Sequence, residues 1–297
     1  RTQLKHFILF IGEDRKLDTI QRERYKDYYN FRRKHHPKVQ DVTLVNERST
    51  LGHMYKFALE KGFITQDRLP VWQELKRINV NSRTAFTRED YKTLYTYLNN
   101  FTKKIKDERE LYYRKLIRDF ILIQSNTGLR FGECRFLKWN FIEIVKGANK
   151  YPNVKIRVPA EISKVRKDRT AIGMRGDFFK RIKDYTNNKH QQDYIFADYD
   201  TGEVVSRKLL YKMWSEIMKE SGLKDSPNDY SFYCLRHTFA TYRLQFGKVD
   251  IRTLAKVMGC SVRFIELHYD SARVEEMSDY ITRDVSRDDA MSDVVLM

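Results

Sequence analysis

The sequence predicts a mostly α-helical protein with a small antiparallel β-sheet, an all-helical first region standing ahead of a mixed α+β second region. Three observations predict this. Apolar residues recur at helical spacing over most of the chain. Three short β-branched or alternating runs, Phe141 to Val145, Val154 to Val158 and Arg169 to Ile172, break that rhythm with turn residues between them. A polar stretch without a clear period, residues 77 to 87, separates the two regions.

In chain order, Asp18-Thr-Ile-Gln21 reads as a capping box that opens a helix with Ile20, Tyr25, Tyr28 and Phe31 as its apolar stripe. The basic run from Phe31 to Pro37 ends it, because proline cannot continue the hydrogen-bond ladder. A second helix spans about Leu44 to Lys61, with Gly62 as its C-cap. The linker puts the domain boundary near residue 84, giving regions 1–84 and 85–297. Thr87-Arg-Glu-Asp90 is a further capping box. Leu111 to Ser125 is a strongly apolar helix, with Leu111, Leu116, Phe120 and Ile123 at helical spacing. Beyond the sheet the helical pattern returns, notably at Lys208 to Glu220, Phe232 to Phe246 and Ile251 to Met258.

The 297 residues have room for one large domain or two ordinary ones, and a 41% hydrophobic content can build a core, which excludes wholesale disorder. The formal net charge is +17. A basic excess of that size points to nucleic acid, since a protein that neutralises phosphates releases their counterions. Cys134, Cys234 and Cys260 are far apart and form no CxxC pair, which argues against a zinc site or a disulfide framework and for a reducing compartment. No apolar run reaches membrane-spanning length and no secretory signal opens the chain. The first residue is Arg1, not Met, which reads as a piece of a longer protein.

Three separated segments bear on chemistry. In Thr127-Gly128-Leu129-Arg130-Phe131-Gly132-Glu133, the glycine permits a tight turn after the apolar helix, so that Arg130 projects from the start of the next. In Ser231 to Thr241, helical spacing puts Tyr233, Arg236 and His237 on one face and Phe232, Leu235 and Phe239 on another. Leu254 to Phe264, followed by Ile265-Glu-Leu-His-Tyr269, reads as helix, glycine turn, helix and an exposed tyrosine.

Together these segments resemble the tyrosine recombinase, or phage integrase, family. The boxes TGLRFGE and LRHTFAT, and the distance through Met258-Gly259 to Tyr269, carry the resemblance over residues 85 to 275. It implies an N-terminal all-α core-binding domain and an α+β catalytic domain that clamp opposite faces of double-stranded DNA. It implies that Arg130 and Arg236 grip the scissile phosphate, with Glu133 and His237 in support. Lys164, or its neighbour Lys167, matches the lysine of the family's sheet hairpin, and Tyr269 the nucleophile. The family usually has His where Tyr233 stands and His or Trp where Cys260 stands. A phenol is a poor proton acceptor at neutral pH and a thiol a weak hydrogen-bond donor, so both departures bear on rate.

The implied reaction is DNA cutting and rejoining through a 3′-phosphotyrosine intermediate. Two arginines hold the non-bridging oxygens, the tyrosine attacks, and the lysine protonates the leaving 5′ oxygen. The covalent link keeps the phosphodiester energy, so the resemblance implies no metal and no ATP, in agreement with the absence of a GxxxxGK[ST] loop. It further implies a homotetramer on two DNA duplexes, a DNA-bending accessory protein as a possible partner, and a place in the prokaryotic cytoplasm at the nucleoid. A mobile-element integrase fits this pattern. Competing readings are a catalytically silent relative, a regulator using Leu254 to Tyr269 as a helix-turn-helix, and a type IB topoisomerase. The tail beyond Tyr269 is acidic and ends in Val294-Val-Leu-Met297, which reads either as a docking segment or as a frayed end.

Overall fold

The computed structural model describes residues 2–75, 84–147, 150–247 and 249–269, and for Thr2, His268 and Tyr269 the backbone alone. Most of the linker and all of the tail beyond Tyr269 lie outside the described residues. The chain divides into two compact units, Arg1–Asn81 and Ser82–Met297.

The first unit is helical: α1 (Thr2–Ile11), α2 (Tyr28–His35) and α3 (Asp41–Glu60). Its core is unusually aromatic, with Phe7, Tyr25, Tyr28 and Tyr55 buried beside Ile20, Leu44 and Leu51. The buried Arg32 meets Glu47 in a two-pronged pair (Nε to Oε2 2.9 Å, Nη2 to Oε1 2.8 Å), and the Tyr28 hydroxyl donates to the same carboxylate. The expected capping box at Asp18 does not form. Leu17–Thr19 and Arg22–Asp27 are short 3-10 turns, with Ile20 and Gln21 extended between them. Ile20 is completely buried in the aromatic core, and this burial overrides the local capping preference. Periodicity alone does not make helix α1 legible. The helix expected at Leu44 to Lys61 is α3, and Gly62 follows with φ +71° as its αL residue.

The second unit opens with α4 (Arg88–Asn100), where Thr87 accepts the Asp90 amide at 3.0 Å as the capping pattern requires. Helix α5 (Glu108–Thr127) is buried through most of its length and forms the spine of the main core. After the short α6 (Phe131–Arg135) come β1 (Ile142–Val145), β2 (Asn153–Val158) and β3 (Arg169–Met174). They form one antiparallel sheet in the order β1-β2-β3, with Ile156 opposite both Ile142 and Ala171. Val154, Ile156 and Val158 point into the core while Lys155 and Arg157 face out, the period-two pattern of a one-sided sheet. Helices α7 (Asp177–Tyr185), α8 (Arg207–Glu220), α9 (Phe232–Gln245), α10 (Ile251–Met258) and α11 (Val262–Tyr269) complete the unit. The molecule is thus mostly helical with a small antiparallel sheet, as its patterning predicts. Among the described residues no helix is long and apolar enough to cross a membrane.

Candidate active site

Helix α9 packs along α5 and brings the first two motifs together. Gly128 terminates α5 in the αL conformation (φ +64°), and a Cβ there would come within 2.4 Å of the Phe239 ring on α9. The position therefore requires glycine twice, for backbone sign and for space. The sequence places Arg236 and His237 on a face of their own, apart from Phe232, Leu235 and Phe239. In the structure all five are buried, because α9 is packed on both faces, and only Tyr233 of the polar set reaches partial exposure.

Arg236 has no accessible surface. Its Nη1 donates to the Gly128 carbonyl at 2.5 Å and its Nη2 to the Met258 carbonyl at 2.8 Å. These carbonyls close the C-terminal ends of α5 and α10, where aligned peptide dipoles leave negative partial charge. Among the described residues no carboxylate pairs with Arg236, and its Nε has no hydrogen-bond partner. The charge is held by two helix ends and neutralised by neither.

Arg130 caps α6. Its amide donates to Glu133 Oε2 (2.9 Å), its Nη1 to Glu133 Oε1 (2.8 Å) and its Nη2 to the Gly259 carbonyl (2.7 Å). A third guanidinium, for which the sequence motifs imply no role, joins them. Arg169, the first residue of β3, donates Nη1 and Nη2 to Glu133 (3.0 and 2.7 Å) and Nε to the Val257 carbonyl (3.2 Å). Three successive carbonyls at the C-terminal turn of α10 thus each receive one arginine: Val257 from Arg169, Met258 from Arg236, Gly259 from Arg130. Burial pushes the Glu133 carboxyl up, but hydrogen bonds and charge from Arg169, then Arg130, outweigh it and hold the group below its ordinary range.

Cys260 follows this turn. Burial raises its thiol pKa, against the pull of the neighbouring cations Arg236, Arg130 and Arg169, so the group is a neutral thiol at neutral pH. It lines a cleft with Lys167, Asp168, Arg169, Arg252 and Lys256. Lys164 and Lys167 both lie exposed on the loop between β2 and β3, and of the two it is Lys167 that lines the cleft. The Tyr233 ring stands edge-on to the His237 ring, centroids 4.8 Å apart. Tyr269 is the last residue of α11, a helix fixed in the core by the fully buried Ile265 one turn earlier. Among the described residues no cluster of His, Cys, Asp or Glu side chains gathers as a metal-ion site.

A match to the Phage integrase family covers residues 84–269, more than half of the chain. The chain belongs to the phage integrase family. A protein described as tyrosine recombinase XerC-like, from Caldanaerobacter subterraneus subsp. tengcongensis, is 22% identical over 193 residues, covering 56% of this chain. The match spans 47% of that relative's own length. Among solved structures of the fold, XerH site-specific recombinase bound to a palindromic difH substrate superposes with a TM-score of 0.67 at 18% identity, over 93% of this chain and 77% of that one. The Tn1549 transposon integrase in complex with a circular intermediate DNA gives 0.64 at 15% identity, over 95% and 93%. A lambda integrase dimer bound to a core site gives 0.63 at 17% identity, over 91% and 86%. At these identities the likeness establishes a shared integrase-family fold.

Proposed function

We propose that this member of the phage integrase family is a site-specific recombinase that cleaves double-stranded DNA with Tyr269 and passes through a 3′-phosphotyrosine. The observation that carries the reading is the buried, unneutralised Arg236 beside Arg130, both fastened to the turn that leads into the Tyr269 helix. A cation held this way, with a buried Nε still without an acceptor, suits an anionic oxygen better than any neutral ligand. In this reading the partly exposed Arg130 meets one non-bridging oxygen and Arg236, which DNA binding must first uncover, meets the other. Together they withdraw the charge that repels a nucleophile and stabilise the charge that develops in the transition state.

Tyr269, its phenol proton passed to solvent, forms the bond to phosphorus as the bond from phosphorus to the 5′ oxygen breaks, and that oxygen takes a proton from a lysine of the β2–β3 loop. Lys164 fills that role by motif and Lys167 by its place in the cleft. In this reading Tyr233 and the neutral Cys260 thiol hydrogen-bond the phosphate or the nucleophile, with His237 packed against Tyr233 in support. Attack by a second 5′-hydroxyl releases the enzyme without ATP or a metal. On the same reading the protein assembles as a homotetramer on two duplexes, as the family resemblance implies; the XerH and lambda integrase structures support DNA as the partner by analogy of fold.

The test uses duplexes selected by binding from a randomised pool. Exchange of labelled strands between two such duplexes, in the presence of a chelator, is the expected result. Relaxation of supercoiled plasmid with no exchange would favour topoisomerase-like chemistry. Tight binding with neither would mark a silent DNA-binding relative, the reading that Cys260 and Tyr233 favour.

A further inference from the structure

Arg169 closes a ring of contacts that the proposed reaction does not itself require. From the first residue of β3 it forks onto both oxygens of Glu133, and Glu133 in turn holds the amide and guanidinium of Arg130. Through Nε it also fastens the Val257 carbonyl, two residues before the Gly259 carbonyl that takes the other end of Arg130. Both anchors of Arg130, the carboxylate and the turn, are therefore set by Arg169. The Arg169 side chain is only 9% exposed, and Glu133 1%.

The glycine after α10 shows how close this fit is. Gly259 has φ +64°, and a Cβ there would sit 2.7 Å from both Cδ and Nε of Arg169. The turn has therefore left space for the Arg169 stem to cross beneath it. Lysine in its place would carry the charge but not the planar fork that meets two carboxylate oxygens and a carbonyl at once.

We propose that Arg169 is a positioning residue for strand cleavage, aiming Arg130 at the scissile phosphate by fixing Glu133 and the α10 turn together. It does not touch the reacting atoms. The proposal rests on the reading of Arg130 as a phosphate-gripping group.

The experiment measures single-turnover cleavage by the full chain, its Tyr269→Phe control, Arg169→Gln and Arg169→Lys. Each is presented with a nicked duplex bearing an ordinary phosphodiester and with one bearing a neutral methylphosphonate at the scissile position. Melting temperature and duplex Kd are read alongside. A misaimed Arg130 matters most where charge must be gripped. Arg169→Gln should therefore lose about 100-fold in rate on the phosphodiester, the size of effect that a misplacement near 1 Å produces. The methylphosphonate should lose several-fold less, with Kd unchanged. Arg169→Lys should recover only part of the loss. If Arg169→Gln does not fold, the same comparison is made on Arg169→Lys. Equal losses on both substrates, or full rate in a folded variant, would overturn the role of Arg169 while leaving the recombinase reading intact. Absence of Tyr269-dependent cleavage by the wild type would overturn the recombinase reading, and this inference with it.

Discussion

A guanidinium buried without a carboxylate costs several kcal/mol in desolvation. Arg236 offsets that cost by donating to carbonyls at the ends of two helices. The arrangement explains why arginine stands here: one planar fork reaches Gly128 and Met258 together, whereas a lysine presents a single point charge. Arg236→Lys should slow single-turnover cleavage by about 10²- to 10³-fold, the range for removing one preorganised transition-state donor. Duplex affinity should fall far less, since a formal charge of +17 spreads the proposed phosphate contacts over many other side chains, and quench-flow cleavage beside a binding titration separates the two. At the same scale, Cys260→His restores the residue type more usual in the family, adds a stronger donor beside Arg130 and Arg236, and should raise the cleavage rate several-fold. An unchanged rate would show that the thiol position takes no part in the chemistry.

The elements matter through their ends. Gly128 ends α5 and Gly259 ends α10, and every arginine of the site bonds at or between these termini and Glu133. Gly128→Ala introduces both an unfavourable φ and a clash with Phe239, and should destabilise the fold by about 2 kcal/mol, read as a lower urea midpoint. Glu133 ties α6 to β3, and replacing it leaves Arg169 buried without its acid. Glu133→Gln should therefore cost about 3 kcal/mol at pH 7. Because the folded-state carboxyl lies below its ordinary value of 4.5, its contribution is complete above that pH and is lost as pH falls through the folded value. The stability gap between wild type and Glu133→Gln should accordingly narrow on acidification below about pH 4.5, as urea titrations at several pH values would show. Much of this level was legible in the sequence. The three strands, the Thr87 cap, α5, α8, α9 and α10 all follow from periodicity and turn residues, each a signal within a few positions. In the sequence Arg169 has no signal beyond its strand, because its partner Glu133 lies 36 residues earlier and only the fold makes them neighbours. The burial of α9 on both faces was hidden for a related reason: Arg236 reads as polar until its helix-end partners are in place.

Across the whole molecule, the formal net charge of +17 suits the proposed DNA partner. If the protein neutralises about six to ten phosphates, duplex affinity should fall roughly 10³- to 10⁵-fold between 50 and 200 mM salt, which fluorescence anisotropy would follow. A salt-independent affinity would point to a different partner. Charge, motif order and helical rhythm made class and family legible. The first unit was less so, because its aromatic core, not its caps, decides where α2 begins.

The central claim is that Tyr269 becomes covalently joined to DNA, and the most direct measurement is a trapping assay. Wild type and Tyr269→Phe are each incubated with a labelled duplex carrying a bound site and a nick near the cleavage position, then resolved on denaturing gels. A covalent complex with the wild type, absent from Tyr269→Phe, and a nucleotide recovered on the Tyr269 peptide are predicted. Tight binding of the same duplex by the wild type with no covalent species, or a complex that survives in Tyr269→Phe, would contradict the account.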